Sequence, residues 1–556
     1  MSGCFSTINI PHPCRLRPPR FALPGGRGVL KPFSLREKGG DEGVKAWSFV
    51  DSIGSAKNIT RALVVTGVLL FALMLAACGT QSHDVLRFGL SSSPVTLDPR
   101  FATDAASARI NRLLYRQLVD FDDAFQAVPS LARWQQLAPD HYRFVLGGEG
   151  RRFHDGSRLT ARDVKATYDF ILDPAHASPH RATLDVIREI AAPDDDTVDF
   201  YLRHPDPMFP GRLVIGIVPA AQIAAGRRFN EQALGSGPFA MVAWPEPGRL
   251  QLRRISDGQA FEFVQVRDPT VRILKLQRGE LDMIQNDLPP EMIRYAAGRP
   301  ELQVLQGKGS NFTYLGFNMQ DPVVGQLAVR QAIAYALDRE AIIRYVLGGA
   351  ARPAAALLPP DHWAGNPALP QYPHDPARAR ELLKAAGYGA GQLHIEYKTS
   401  NDPFRIRLAT IIQQQLADVG IDVDLRSYDW GTFYGDIKTG RFQMFSLSWV
   451  GIKMPDIFHY AFYSSAVPPA GANRGHYASA VADRLIDTAQ TVTDPAQQAD
   501  YYRQLQRYLW EELPYVPLWY EDHIFVARSG IAGYTLAMDG NYDGLAKVKR
   551  TADSLR

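Results

Sequence analysis

The chain has 556 residues, 46% of them hydrophobic and 21% charged, enough apolar material for two or three domains with real cores and too much for a disordered chain. Its formal net charge is +3, but residues 1–77 hold ten Lys/Arg against four Asp/Glu, which leaves 51 basic and 54 acidic side chains in the remainder, a net of −3. A mildly acidic body excludes a nucleic-acid binder, whose surface must be basic enough to displace counterions from phosphate.

Taken in chain order, the first feature is a leader. Arg61 is followed by an uncharged apolar run from Ala62 to Ala77, 16 residues and so short of the ~20 a membrane-spanning helix needs, and it ends in Leu75-Ala76-Ala77-Cys78. This pattern resembles the lipobox of bacterial lipoproteins, in which the cysteine is acylated and becomes the new N-terminus. Cys78 is the expected lipidation site, and acyl chains rather than a span are expected to hold the protein to a membrane. Residues 1–56 fit no targeting scheme and point to a start assigned too far upstream. Cleavage before Cys78 leaves no further cysteine, hence no internal disulfide and no Cys-based zinc site.

Past Cys78 the punctuation predicts a mixed α/β protein. In "FHDGSRLTARDVKATYDFIL", Asp155-Gly156 is a turn, Thr160 with Asp163 is a capping box, and Val164, Tyr168 and Ile171 share a helical face. His154 has no partner at ligand spacing, so this stretch reads as a structural hairpin-to-helix joint. "LAVRQAIAYALDREAIIRYVLGG" reads as two consecutive helices, the second capped by Asp338 and ended by Gly348-Gly349, with Arg330 expected to be a structural ion-pair partner. Asp375-Pro376 opens a helix that Gly387 closes.

The clearest pattern comes next. "LHIEYKTS" alternates as a strand, "FRIRLATIIQQQLADVG" has helical spacing up to Gly420, and "IDVDLRSYDW" alternates again. Strand, helix, strand with short joints implies a right-handed parallel crossover, with "FQMFSLSW" as a third strand. Ligands of open α/β sheets bind outside the carboxyl ends of the strands. Those ends supply the candidate site: Ser400 and Asn401, Tyr428 and Trp430, and Ser448 with Trp449, the two indoles being expected to form apolar walls.

Enzyme chemistry is not visible. H-E-x-x-H, G-x-S-x-G and G-x-x-x-x-G-K-[ST] are all missing, Lys438-Thr439-Gly440 stands alone, and Gly307-Lys308-Gly309 lacks the third glycine of a dinucleotide fingerprint. No cofactor, metal or catalytic residue is expected.

Leu97-Asp98-Pro99, "FHDGSRLTARDV", "GSGPFAMVAW" at 235–244, "YLGFNM" at 314–319, "VRQAIAYALDREAI", "DWGTFYGDIKTGRFQMFSLSW" and "ELPYVPLWY" at 512–520 occur in order. Together they resemble the family 5 solute-binding proteins of ABC importers, the oligopeptide- and dipeptide-binding group, from about Leu86 to about Val548. The resemblance implies an α/β, periplasmic-binding-protein-like type II fold: two lobes with an inserted third domain and a ligand enclosed between the lobes. Domain I is then built from 78–118, 233–307 and 513–556, domain II from 119–232 and domain III from 308–512. Implied partners are a peptide or similar small solute and an ABC permease, with the protein monomeric and outside the cytoplasm. A ligand-sensing module for a receptor is the alternative role, and a lipoprotein hydrolase on the same fold a remote one.

The sequence departs from the pattern at one position. Many peptide-binding relatives carry an aspartate three residues after the tryptophan matching Trp449, where it pairs with the peptide's ammonium group; here that position is Ile452, followed by Lys453. Lys453 is therefore a candidate cation for a carboxylate-bearing ligand. Asp456, the nearest carboxylate, is expected to cap the helix "IFHYAF", and Ser93 is a further candidate polar contact.

Overall fold

The computed structural model describes residues 85–551; the leader, the lipobox and Cys78 lie outside the described residues. Eleven strands form one mixed sheet: β1 (Val85–Leu90), β2 (Phe239–Glu246), β3 (Arg249–Arg254), β4 (Ala260–Gln265), β5 (Met283–Gln285), β6 (Leu302–Phe317), β7 (Ala351–Pro353), β8 (Leu393–Ser400), β9 (Ile421–Tyr428), β10 (Met444–Trp449) and β11 (Tyr515–Arg528). Their order is β9-β8-β10-β6-β11-β5-β1-β4-β3-β2, with β7 against β11.

Two strands are unusually long, and they organise the rest. β6 has 16 residues and β11 has 14, against the ~5–6 of a typical strand. They pair antiparallel from Leu302–Arg528 to Gly316–Tyr515, with a register shift between Gly307 and Asn311. On one side of that shift β11 also pairs with β5; on the other side β6 pairs with β10. The same two strands thus belong to two lobes, and the irregularity at Gly307-Lys308-Gly309 lies between them. A Cβ on Gly309 would sit 2.1 Å from the Glu521 carbonyl oxygen, so only glycine admits this approach of the two backbones.

Each lobe repeats one arrangement. β8 runs parallel to β9 and to β10, and β1 runs parallel to β4 and to β5. The helix Pro403–Ala417 joins β8 to β9 as the alternation predicts, and Asp402 caps it by accepting from Phe404 and Arg405 N–H, each at 3.0 Å. The helices opening at Pro376 and Ala161 form with their expected caps, Asp375 and the Thr160–Asp163 box. A separate four-stranded antiparallel sheet, with strands in the order Ala132–Ala138, His141–Leu146, Thr197–Leu202, Ile187–Ala191, packs on the helix Ala161–Leu172. Its apolar core runs from Leu118 to Leu234 and includes Phe144, Tyr168, Phe200 and Phe209. Each such aromatic, fully buried, contributes roughly 1.5–3 kcal/mol.

Two structural expectations are corrected. Arg330 is buried but makes no ion pair among the described residues: its guanidinium donates to the carbonyls of Leu513, Val324, Gly325 and Glu512, tying the end of one long helix to the start of another. Five donors in a fixed fork suit converging carbonyls as well as a carboxylate does. Asp456 precedes the helix Ile457–Phe462 without a side-chain cap bond, because its carboxylate turns instead to Arg212, at 3.0 Å. His154 is structural as expected, its Nε2 meeting the Gly237 carbonyl at 3.0 Å.

Candidate functional site

A chamber of about 610 Å³ lies where the carboxyl ends of both parallel sets converge. From one lobe come Ser91 and Ser92 after β1, Arg267 after β4, and Asn286 and Asp287 after β5; from the other come Asp402, Phe404 and Arg405 after β8, and Ser448 and Val450 at the end of β10. Asn311 and the β11 segment Glu521–Ile524 form its back wall, and Arg109, on the helix Ala105–Leu114, closes one side.

Glu521 organises the back wall. Its carboxylate accepts from Thr313 Oγ1 and from Arg405 Nη1, each at 3.0 Å, and Thr313 Oγ1 lies 2.7 Å from Ser448 Oγ. Burial alone would raise its pKa, but the Arg405 guanidinium holds it below the usual carboxylate range. Of the other chamber carboxylates, Asp522 is taken by Arg352 and Gln306 and Asp402 by its helix cap. Among the described residues Asp287 makes no ion pair within 4 Å; its side chain bonds the Ser91 hydroxyl and feels the Arg272 and Arg405 guanidinium charges at longer range. Of the cations, Arg405 is paired and Arg272 is buried against backbone carbonyls, whereas Arg109 and Arg267 make no ion pair among the described residues; Arg109 rests its guanidinium 5.5 Å from the Tyr542 ring centroid. The chamber is therefore dipolar, with charges of both signs that make no ion pair among the described residues.

Arg109 and Val450 also line a second chamber of about 490 Å³, which reaches toward His180, Arg212 and Lys453. Here charges bridge the lobes. Lys453 Nζ lies 2.6 Å from Asp539, and Arg212 binds both Asp206 at 2.6 Å and Asp456 at 3.0 Å. At the opposite rim Arg407 makes a bidentate contact with Glu291, at 3.1 and 3.2 Å.

His362 locks this junction. Its ring stacks on Phe125 at 5.3 Å, Nδ1 accepts from Ala364 N–H at 3.0 Å, and Nε2–H donates to the Lys453 carbonyl at 3.1 Å. Burial pushes its pKa from 6.5 down to about 4. Between those values the unfolded chain takes up a proton that the folded protein refuses. Stability, complete above pH 6.5, is therefore expected to fall as the pH drops through this window, by up to roughly 3 kcal/mol from His362. Urea denaturation at pH 7.5 and pH 5 on the wild type and His362→Gln checks this: the variant loses much of the pH dependence, and an unaltered dependence would contradict the assignment.

The structure places the sequence-predicted residues as follows. Trp449 ends β10 but turns from the chamber: Ser448 pairs with Thr313 on one face and Trp449 with Phe312 on the other. Its indole packs beside the core containing Phe312 and Tyr520, with the Arg474 guanidinium 4.9 Å over the ring and Tyr460 at 6.1 Å. Tyr428 ends β9, the outermost strand, Trp430 comes two residues later, and neither lines either chamber; Trp430 is 58% exposed and stacks on Tyr434. Ser400 and Asn401 precede the lining residues Asp402, Phe404 and Arg405, and Ser93 accepts from Gly248 N–H one residue past the lining serines. Lys453 does line the second chamber, but its ammonium is committed to Asp539. Sequence reasoning missed Arg109, Asn286, Asp287, Arg405 and Glu521. The signal for Asn286-Asp287 was present as a turn pair directly after an apolar strand; Arg109 and Glu521 carried none.

Two α/β lobes sharing two long strands, with a dipolar chamber between them, define a clamp for a small solute. The family described as bacterial extracellular solute-binding proteins, family 5 Middle, matches residues 127–468, and the chain belongs to this family. It is 26% identical over 507 residues to the glutathione-binding protein GsiB of Shigella boydii, covering 88% of this chain and 98% of that protein. Among solved structures it resembles the periplasmic binding protein DppA of Helicobacter pylori in complex with the peptide STSA (25% identity, TM-score 0.71, 84% of this chain and 98% of that one). It also resembles AgaA of A. tumefaciens R10 in complex with agropinic acid (27% identity, TM-score 0.69, 84% and 99%).

Proposed function

We propose that the protein is a lipid-anchored, monomeric solute-binding component of an ABC importer, which captures a peptide or similar dipolar organic solute between its lobes and delivers it to the permease. The observation that carries this reading is charge of both signs, without an ion pair among the described residues, in a chamber of about 610 Å³, a volume suited to a molecule of a few residues. The family's extracellular role, the peptide and glutathione named for its relatives, and the lipobox at Cys78 support it. The domain partition at 119–232 is supported by the separate core running from Leu118 to Leu234. Arg109, which lines both chambers and makes no ion pair among the described residues, is assigned to the solute's anionic group, in place of Lys453.

Mass spectrometry of solute released from the purified protein, followed by calorimetric titration of the solute identified, tests the reading. Arg109→Ala is expected to weaken a carboxylate-bearing solute by roughly 10- to 100-fold, the loss of one charge-assisted bond. A released solute without an anionic group, or undiminished affinity in the variant, would remove Arg109 from the site.

A further inference from the structure

We propose that Asp287, with Ser91, is the seat for a cationic group of the solute, most directly a primary ammonium. The inference rests on the solute-binding reading above. Three observations carry it.

The first is an open carboxylate oxygen. Asp287 is exposed to the chamber and feels the charge of the Arg272 and Arg405 guanidinium groups, but among the described residues it makes no ion pair within 4 Å and its side chain hydrogen-bonds to the Ser91 hydroxyl, whereas Glu521, Asp522 and Asp402 are each engaged elsewhere. A carboxylate with one oxygen free, beside a donor that fixes the other, is prepared to receive N–H donors.

The second is backbone conformation. Asn286 and Asp287 are consecutive residues with φ of 61° and 54°, in the left-handed region that non-glycine residues rarely occupy. Asn and Asp tolerate it best, but two in succession need outside support.

The third is that support. Asn286 N–H donates to the Ile524 carbonyl at 2.8 Å, and its side-chain oxygen accepts from Ile524 N–H at 2.9 Å. Asn286 Nδ2 donates to Nδ1 of His523, whose Nε2–H meets the Met538 carbonyl at 3.0 Å; burial keeps that imidazole neutral, which the tautomer requires. Arg272, itself fully buried, donates to the Asp287 carbonyl as well as to those of Val266 and Arg267. The main chain is thus clamped from two sides while the side chain is left facing the chamber. Asn286 and Arg272 act as positioning residues; Asp287 makes the contact.

The test is a parallel screen of wild type, Asp287→Asn and Ser91→Ala against a set of short peptides, glutathione and their N-acetylated counterparts, by thermal shift and then calorimetry. Wild type is expected to favour the free amine over its N-acetylated form by roughly 10- to 100-fold, the worth of one charge-assisted hydrogen bond. Asp287→Asn is expected to abolish that preference while affinity for the N-acetylated form is kept, which also shows the variant to be folded. Ser91→Ala is expected to retain most of the preference. A free-amine preference that survives in Asp287→Asn, or equal binding of both forms by wild type, would overturn the seat and leave the solute-binding reading standing. Absence of any binder in wild type would overturn both.

Discussion

Lys453→Ala is expected to destabilise the protein by about 2 to 4 kcal/mol even with no solute present. Lys453 comes from the loop after β10 and Asp539 from the chain beyond β11, so their 2.6 Å ion pair spans the two lobes. Burial would raise the Asp539 pKa, yet the Lys453 ammonium holds it down, so the carboxylate is charged and desolvated. Removing the cation leaves that charge unpaired. A fully buried pair broken in this way costs about 3–5 kcal/mol. Less is lost here because the Lys453 and Asp539 side chains keep 20% and 14% of their exposure. Urea midpoints measure the loss, and X-ray scattering is expected to show a larger radius of gyration as the lobes part. Adding Asp539→Asn to Lys453→Ala removes the orphaned charge and is expected to restore part of the midpoint. A variant of unchanged stability and scattering that bound solute more weakly would instead make Lys453 a ligand contact.

The second large effect belongs to a residue with no side chain. Gly309→Ala puts a Cβ 2.1 Å from the Glu521 carbonyl oxygen and 3.1 Å from His523 Nε2, with backbone as the obstacle, so β6 and β11 must separate where the two lobes meet. A loss of at least about 4 kcal/mol in urea unfolding is expected, with weakened solute binding because Glu521 and Arg405 are displaced with the strand. Gly307→Ala, only two residues away, is the control. Its Cβ would meet the Leu536 side chain at 3.2 Å, and a side chain gives way where a carbonyl does not. Similar, small effects from both substitutions would show that the irregularity in β6 is not a constrained joint.

Much of the second lobe was legible because its signals are local. The strands at Leu393 and Ile421, the helix between them, and the caps at Asp375 and Thr160 depend on spacing and on side chains reaching three residues along the chain. The expectation that a cavity lies beyond the carboxyl ends of parallel strands matches the geometry, since β8 and β10 both end at the chamber. It misled over Trp449 for a definite reason. Alternation shows that Ser448 and Trp449 face opposite sides of a sheet, but which side meets the chamber is fixed by pairing with Thr313 and Glu521, which lie 135 and 73 positions away. Tyr428 and Trp430 failed differently: β9 proved to be the edge strand, and strand order is not written in any one segment.

By itself, the sequence determined an α/β clamp, its ordered family blocks and the place of most of its helices and strands. Only the tertiary structure decided that the β6–β11 register shifts between Gly307 and Asn311, that Lys453 is held by Asp539, and that Asp287 and Arg109 line the chamber without an ion pair among the described residues. Periodicity and capping are energies between near neighbours, which the order of residues reports directly. Whether a charge is free depends on which distant groups folding brings within about 4 Å of it, and that follows from the packing of the whole chain.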